Sequence, residues 1–179
     1  MRLFHTLSNA KSEAKRSAAI RQICEDLVEK PDGIAYTLQR LLRGLASPSG
    51  FARQGFASAL TVIVERFSEN IETDNLVNLI EKHVCLEDGA GRQDRKQYLI
   101  AKVFALMVLV RSHRIVHIQQ EKLAEFVVEL VKHSEKYGQM PANSIAITTL
   151  TITISFTSLF TEAGQVSSVL KLSSFCWML

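Results

Sequence analysis

The sequence predicts an all-α fold, an α-solenoid of stacked helix hairpins. Three observations carry that prediction. Helix breakers are scarce, with 3 prolines and 8 glycines in 179 residues. Apolar side chains recur at helical spacing in six separate stripes. The stripes pair into hairpins whose first helices begin at residues 12, 50 and 94, in steps of 38 and 44. Those steps lie close to the period of about 40–47 residues of HEAT and armadillo repeats. Each hairpin leaves one apolar face that a neighbouring hairpin covers, so stacking is the natural solution. An ordinary helical bundle is the alternative.

The elements follow in order. Ile20, Ile23, Cys24, Leu27 and Val28 stripe a helix over 12–29, with Ser12 or Asn9 as its cap. Pro31-Asp32-Gly33 stops it. Ile34, Leu38, Leu41, Leu42 and Leu45 stripe a helix over 34–46, which ends at Ala46-Ser47-Pro48-Ser49-Gly50. Phe56, Leu60, Ile63, Val64 and Phe67 mark a helix over 50–68, and Leu76, Ile80 and Val84 a shorter one over 73–84. Acidic residues near Thr73 suit the positive end of that helix dipole. A polar loop at 86–91 precedes a helix over 94–112, apolar on most sides and so expected to be the most buried. Leu123, Phe126, Val127, Leu130 and Val131 stripe a last helix over 119–137. The expected pairs are 12–29 with 34–46, 50–68 with 73–84, and 94–112 with 119–137.

The helical repeat domain is therefore placed at residues 1–138. Residues 139–179 read as a divergent or disordered tail. Its segment ANSIAITTLTITISFTSLF carries no charge and alternates apolar residues with threonine, which is a strand signal. A lone strand in a helical chain is an exposed edge. The segment is open to three readings: a helix of unsuited residues, a disordered tail, or a stretch foreign to the domain.

Composition narrows the function. Hydrophobic residues make up 47% and charged residues 22%, which is globular rather than disordered. The net charge of +3 names no partner. Its distribution says more: residues 61–90 hold seven acidic and two basic side chains, and residues 91–120 hold one acidic and six basic. Such alternation suits a local basic patch better than a uniformly basic nucleic-acid arm. Cys24, Cys85 and Cys176 are odd in number, widely spaced and without a CxxC, against a disulfide framework or cysteine zinc site and in keeping with a reducing compartment. The N-terminal apolar run is too short for a signal peptide. The apolar run at 101–110 falls short of the roughly 20 residues a membrane span needs, so no membrane partner is expected.

The stretch YTLQRLLRGLASPSGFARQGFASALTVIVERF, Tyr36 to Phe67, resembles the DNA polymerase V (polymerase phi) and Myb-binding protein 1A family. The resemblance rests on Tyr36, Leu38, Arg40, Leu41, Arg43, Gly44, Leu45, Ala46 and Ser47, then on Ala52, Arg53, Gly55, Phe56, Ala59, Leu60 and Thr61. QYLIAKVFALMVLVRSHRI, Gln97 to Ile115, is similar to a later helix of the family that ends in Arg-Ser-x-Arg. The resemblance covers roughly residues 1–137 and implies a large α-solenoid protein of the nucleus and nucleolus. It implies a non-catalytic scaffold for ribosomal RNA transcription or ribosome biogenesis. The partners implied are proteins of the transcription or ribosome-assembly machinery, with rDNA or rRNA beside them. The family name carries the alternative, a nucleotidyl transferase acting as a DNA-directed DNA polymerase.

The candidate binding residues are Arg40, Arg43, Arg53, Arg92, Arg95 and Lys96. Arg40 and Arg43 fall in the last turn of one helix, where cations complement the dipole, and Arg53 follows the break. Gly55 and Ala59, four apart, allow another helix to approach closely. One reading is helix-end electrostatics with close packing. The other is a positive ridge for RNA phosphates or an acidic protein segment. No catalytic residues, metal ligands or cofactor are expected. His113 and His117 have ligand-like spacing but no third ligand. Gly89-Ala90-Gly91-Arg92 lacks the GK[ST] of a phosphate loop. Glu65, Glu69, Glu72 and Asp74 read as a solvated acidic surface rather than paired catalytic carboxylates. The terminal CWML resembles a prenylation box on Cys176 without its usual basic support.

Overall fold

The computed structural model describes residues 2–9, 12–86, 89 and 91–119, and further on Lys122, Leu123, Glu125 and Val128. The tail expected over 139–179, Cys176 and most of the helix expected over 119–137 lie outside these residues. The described residues are helical, without a strand. Six α-helices run in chain order: α1 (Arg2–Asn9), α2 (Glu13–Glu29), α3 (Ile34–Leu45), α4 (Gly50–Arg66), α5 (Thr73–His83) and α6 (Arg92–Arg111). Short 3-10 turns cover Pro31–Gly33 and Arg114–His117.

The apolar stripes explain most of these helices. Leu38, Leu41, Leu42 and Leu45 of α3 are fully or nearly fully buried, as are Leu60, Ile63 and Val64 of α4 and Leu76 and Ile80 of α5. Burying one such side chain contributes about 1.5–3 kcal/mol. The polar signals act less uniformly. Ser12 precedes α2 but forms no side-chain cap. Ser49 does cap α4, its Oγ accepting from the Ala52 amide at 3.4 Å. Helix α6 begins at Arg92, ahead of the expected Asp94, because the Asp94 carboxylate accepts from the Gly91 amide at 3.2 Å.

Three expectations need correction. The first concerns α1, which the stripes did not reveal. Its eight residues are too short to be stable alone. Tertiary packing supplies the stability: Leu7 is completely buried, and α1 packs on α2 and α4. The second concerns pairing. The hairpins are α1 with α2 and α3 with α4, rather than α2 with α3 and α4 with α5. Gly44 and Gly55 show why. A Cβ on Gly44 would overlap the Phe56 ring, so this glycine lets α3 and α4 close together. A Cβ on Gly55 would run into the Leu7 carbonyl, so the close approach expected there is made by α1.

The third concerns burial. Half of α3 is buried, six of twelve residues, against eight of twenty in α6, so α6 is not the most buried helix. Val28, placed in the α2 stripe by spacing, is 56% exposed.

Candidate functional site

Helix direction gathers the charged corner. The short break at Ser47–Ser49 turns α3 into α4, so the end of α3 meets the start of α4. Arg53, in the first turn of α4, donates from Nη1 to the Gln97 Oε1 in the second turn of α6 at 3.3 Å. The starts of α4 and α6 therefore lie together, and α6 packs on both α3 and α4. At the far side of α3, Arg43 acts electrostatically on His83, the last residue of α5, and α3 packs on α5. One end of this helix group thus collects the last turns of α3 and α5 and the first turns of α4 and α6.

The six sequence-derived cations occupy different positions there. Arg43, Arg92 and Lys96 are exposed. Arg40 is also exposed, with its guanidinium 5.6 Å from the centre of the Phe4 ring of α1, a cation–π contact worth about 0.5–1 kcal/mol at such a site. Arg95 is half-buried and already engaged. Arg53 is half-buried and turned inward. Besides Gln97, its Nη1 donates to the carbonyls of Ser47 at 2.6 Å and Pro48 at 3.2 Å. Arg53 fastens the α3–α4 corner and ties it to α6.

Sequence reasoning missed three participants. Lys82 and His83 close α5 at the same end. Partial burial first, then Arg43 and then Lys82, hold the His83 pKa below its ordinary value. Both charged influences on His83 are thus cations. Arg114 braces the opposite end: its Nη2 donates to the carbonyls of Ser68 at 2.8 Å and Val64 at 3.4 Å, and its Nη1 to the Thr73 hydroxyl at 3.3 Å. It ties the end of α4 to the start of α5. The signal for Arg114 was its place as the last residue of the Arg-Ser-x-Arg pattern that closes the Gln97–Ile115 stretch.

Polarity distinguishes these cations. Arg43, Lys82 and His83 stand at helix C-termini, which favour positive charge. Arg92 and Arg95 stand in the first turn of α6, which disfavours it, and Asp94 is the one acid there. Helix-end electrostatics accounts for the first group and leaves the second unexplained.

Other motifs do not assemble into chemistry. Arg111 is the last residue of α6, and His113 takes a left-handed conformation with φ of 56°. His113 and His117 therefore share no α-helical face. Among the described residues, no three His, Cys, Asp or Glu side chains are placed to hold a metal ion. Glu65, Glu69, Glu72 and Asp74 are all exposed around the α4–α5 corner. Among the described residues, no helix is long and apolar enough to cross a membrane.

The family model described as DNA polymerase phi matches residues 36–153. This chain belongs to that family. The match begins at Tyr36, the first residue of the motif, and continues past residue 137, where the resemblance was expected to fade. Among curated proteins, the chain is similar to the rDNA transcriptional regulator pol5 of Schizosaccharomyces pombe (strain 972 / ATCC 24843). The two are 29% identical over 133 residues, covering 73% of this chain and 14% of that protein. This polymerase phi family chain thus spans about one-seventh of the length of that relative. No solved structure matches it.

Proposed function

We propose that this chain is a helical segment of a non-catalytic nuclear and nucleolar scaffold that supports ribosomal RNA transcription or ribosome biogenesis. In this reading its hairpins belong to an α-solenoid of the HEAT or armadillo kind. Its basic end engages proteins of the transcription or ribosome-assembly machinery, or rDNA or rRNA. The binding set is Arg43, Arg92 and Lys96, with Arg40 and Arg95 beside them and Arg53 holding the corner in shape.

One observation supports this reading above the others: Arg92 stands exposed against the α6 dipole, at the same end as Arg43. Such an arrangement costs the free protein stability that an anionic partner restores. The name of the pol5 relative, an rDNA transcriptional regulator, points the same way. The polymerase reading has less support, because two-metal nucleotidyl transfer needs converging carboxylates.

The test is chromatin immunoprecipitation of the tagged chain in cells. Enrichment at rDNA, lost when Arg43, Arg92 and Lys96 are changed together to glutamine, is the expected result. Enrichment unchanged in that variant removes the basic end from the function. Template-directed nucleotide incorporation by the purified chain overturns the non-catalytic reading.

A further inference from the structure

Helix α1 sits on the rest of the molecule as a plug in a socket formed by α2 and α4. Leu7 is completely buried and set over Gly55 of α4, where a Cβ would meet the Leu7 carbonyl. One turn earlier, Phe4 is half-buried, with the Arg40 guanidinium 5.6 Å from the centre of its ring. Polar bonds on the outer side turn back within α1. Ser8 donates to the His5 carbonyl at 2.9 Å, and the Asn9 amide bonds the His5 ring at 3.1 Å. Those bonds travel with α1 wherever it docks.

The turn that folds α1 back onto α2 has little to hold it. Ala10, Lys11 and Ser12 join the two helices, with neither glycine nor proline among them. All three residue types are compatible with helix, alanine and lysine strongly so. Ser12 is extended, with φ of −100° and ψ of 130°, yet forms no side-chain cap on α2. Lys15 and Arg16 outnumber Glu13 in the first turn of α2, where the helix dipole disfavours positive charge. One continuous helix over 2–29 removes both defects. The open carbonyls ending α1 and the open amides starting α2 then serve each other, and the two cations become mid-helix residues. What straightening gives up is the seat of Leu7 on Gly55.

We propose that α1 exchanges between two copies of this chain, the straightened helix of each copy placing Leu7 in the Gly55 socket of the other. A second copy fits because its α1 is the segment the socket is shaped for: the missing Cβ at Gly55 admits the Leu7 backbone, and Phe4 meets Arg40 again. The contacts α1 makes in one copy are recovered in the pair, so the turn decides the balance. Pairing still costs the free motion of two molecules, which makes the exchange concentration-dependent.

The test is light scattering on the full chain after gel filtration, loaded at up to about 1 mM. The parent should show a dimer fraction that grows with concentration. Glu13→Pro should abolish it. Proline suits the first position of α2, and the extended backbone of Ser12 is what a following proline requires, so the hairpin keeps its fold. In the straightened helix the same proline is internal, and two per dimer should weaken association by roughly a thousand-fold or more. Ser12→Ala should tighten the dimer about five-fold, because it gives up no cap and favours helix in both turns. A dimer of isotope-labelled and unlabelled copies should show an intermolecular NOE between Leu7 and Gly55. A dimer that Glu13→Pro leaves intact, or one without that NOE, overturns the proposal. Parent and Ser12→Ala chains that both stay monomeric at about 1 mM overturn it as well.

Discussion

Replacing Arg53 separates structure from binding at the charged corner. In Arg53→Ala, the Nη1 bonds to the Ser47 carbonyl at 2.6 Å, the Pro48 carbonyl at 3.2 Å and Gln97 at 3.3 Å are lost together. One nitrogen carries all three contacts, so they amount to one strong charge-assisted bond and a weaker one rather than three full bonds. Such a bond is worth about 1.5–3 kcal/mol. The Arg53 Nε is buried without a hydrogen-bond partner, and removing it returns about 1 kcal/mol. The net loss is then about 1–2 kcal/mol, or a Tm lower by roughly 2–4 °C per kcal/mol in a chain of this size. Arg43→Ala, which removes an exposed helix-end charge, should cost only about 0.3–1 kcal/mol. Arg53→Lys is the control. It keeps the charge and three donors on one nitrogen but has a shorter reach, so its stability should fall between those of Arg53→Ala and the parent. Thermal unfolding followed by circular dichroism measures all three. If Arg53→Ala and Arg53→Lys unfold like the parent, the corner clamp is not what holds α3, α4 and α6 together.

Further outcomes follow from other contacts. Gly55→Ala forces a methyl group against the Leu7 carbonyl. Overpacking costs about 1–3 kcal/mol and the gain in helix propensity returns about 1, so Tm should fall; an unchanged or higher Tm contradicts the α1–α4 contact. His83 should titrate below the ordinary value of 6.5 in an NMR pH series. The folded state binds fewer protons than the unfolded one, so the stability tied to His83 is complete above pH 6.5 and is lost as pH falls through the folded-state pKa. Arg43→Gln should move that pKa up, and a fixed value denies the contact between the ends of α3 and α5. Burial pushes the Cys24 thiol up, with Arg66 opposing, whereas Cys85 is exposed with its Sγ donating to the Lys82 carbonyl at 3.3 Å. Iodoacetamide at neutral pH should therefore label Cys85 well before Cys24 by mass spectrometry; the reverse order contradicts the buried core of α2.

Long stripes and strong breaks were legible in the sequence. Helices α2 to α5 stand where Ile23, Leu41, Ile63 and Ile80 placed them, since each stripe is long enough to set a helix and its buried face. α1 was not, because two turns carrying Leu3, Phe4 and Leu7 have no periodicity to read until α4 covers Leu7. Pairing was hidden for a related reason. It turns on close contacts at Gly44 and Gly55, and spacing shows that a residue is small but not which helix approaches it. At the candidate site, the cluster of charges was visible and its geometry was not. Arg53 looks like Arg43 in a sequence, yet one turns inward to carbonyls and the other faces solvent. Lys82 and His83 were absent from the sequence-derived set because an acidic stretch surrounds them along the chain. Helix direction carries them to the basic end, away from Glu65, Glu69, Glu72 and Asp74.

The most direct test of the account is the salt dependence of ribosomal RNA binding by the full chain, compared with a variant in which Arg43, Arg92 and Lys96 are all changed to glutamine. The three cations are exposed, lie on two helices, α3 and α6, and reach one end only through the fold. If they meet phosphates together, the slope of log K against log salt should fall by about 2 on single-stranded RNA, while the thermal unfolding of the variant stays close to that of the parent. An unchanged slope with an intact fold would contradict the claim that this end of the molecule is where an anionic partner binds.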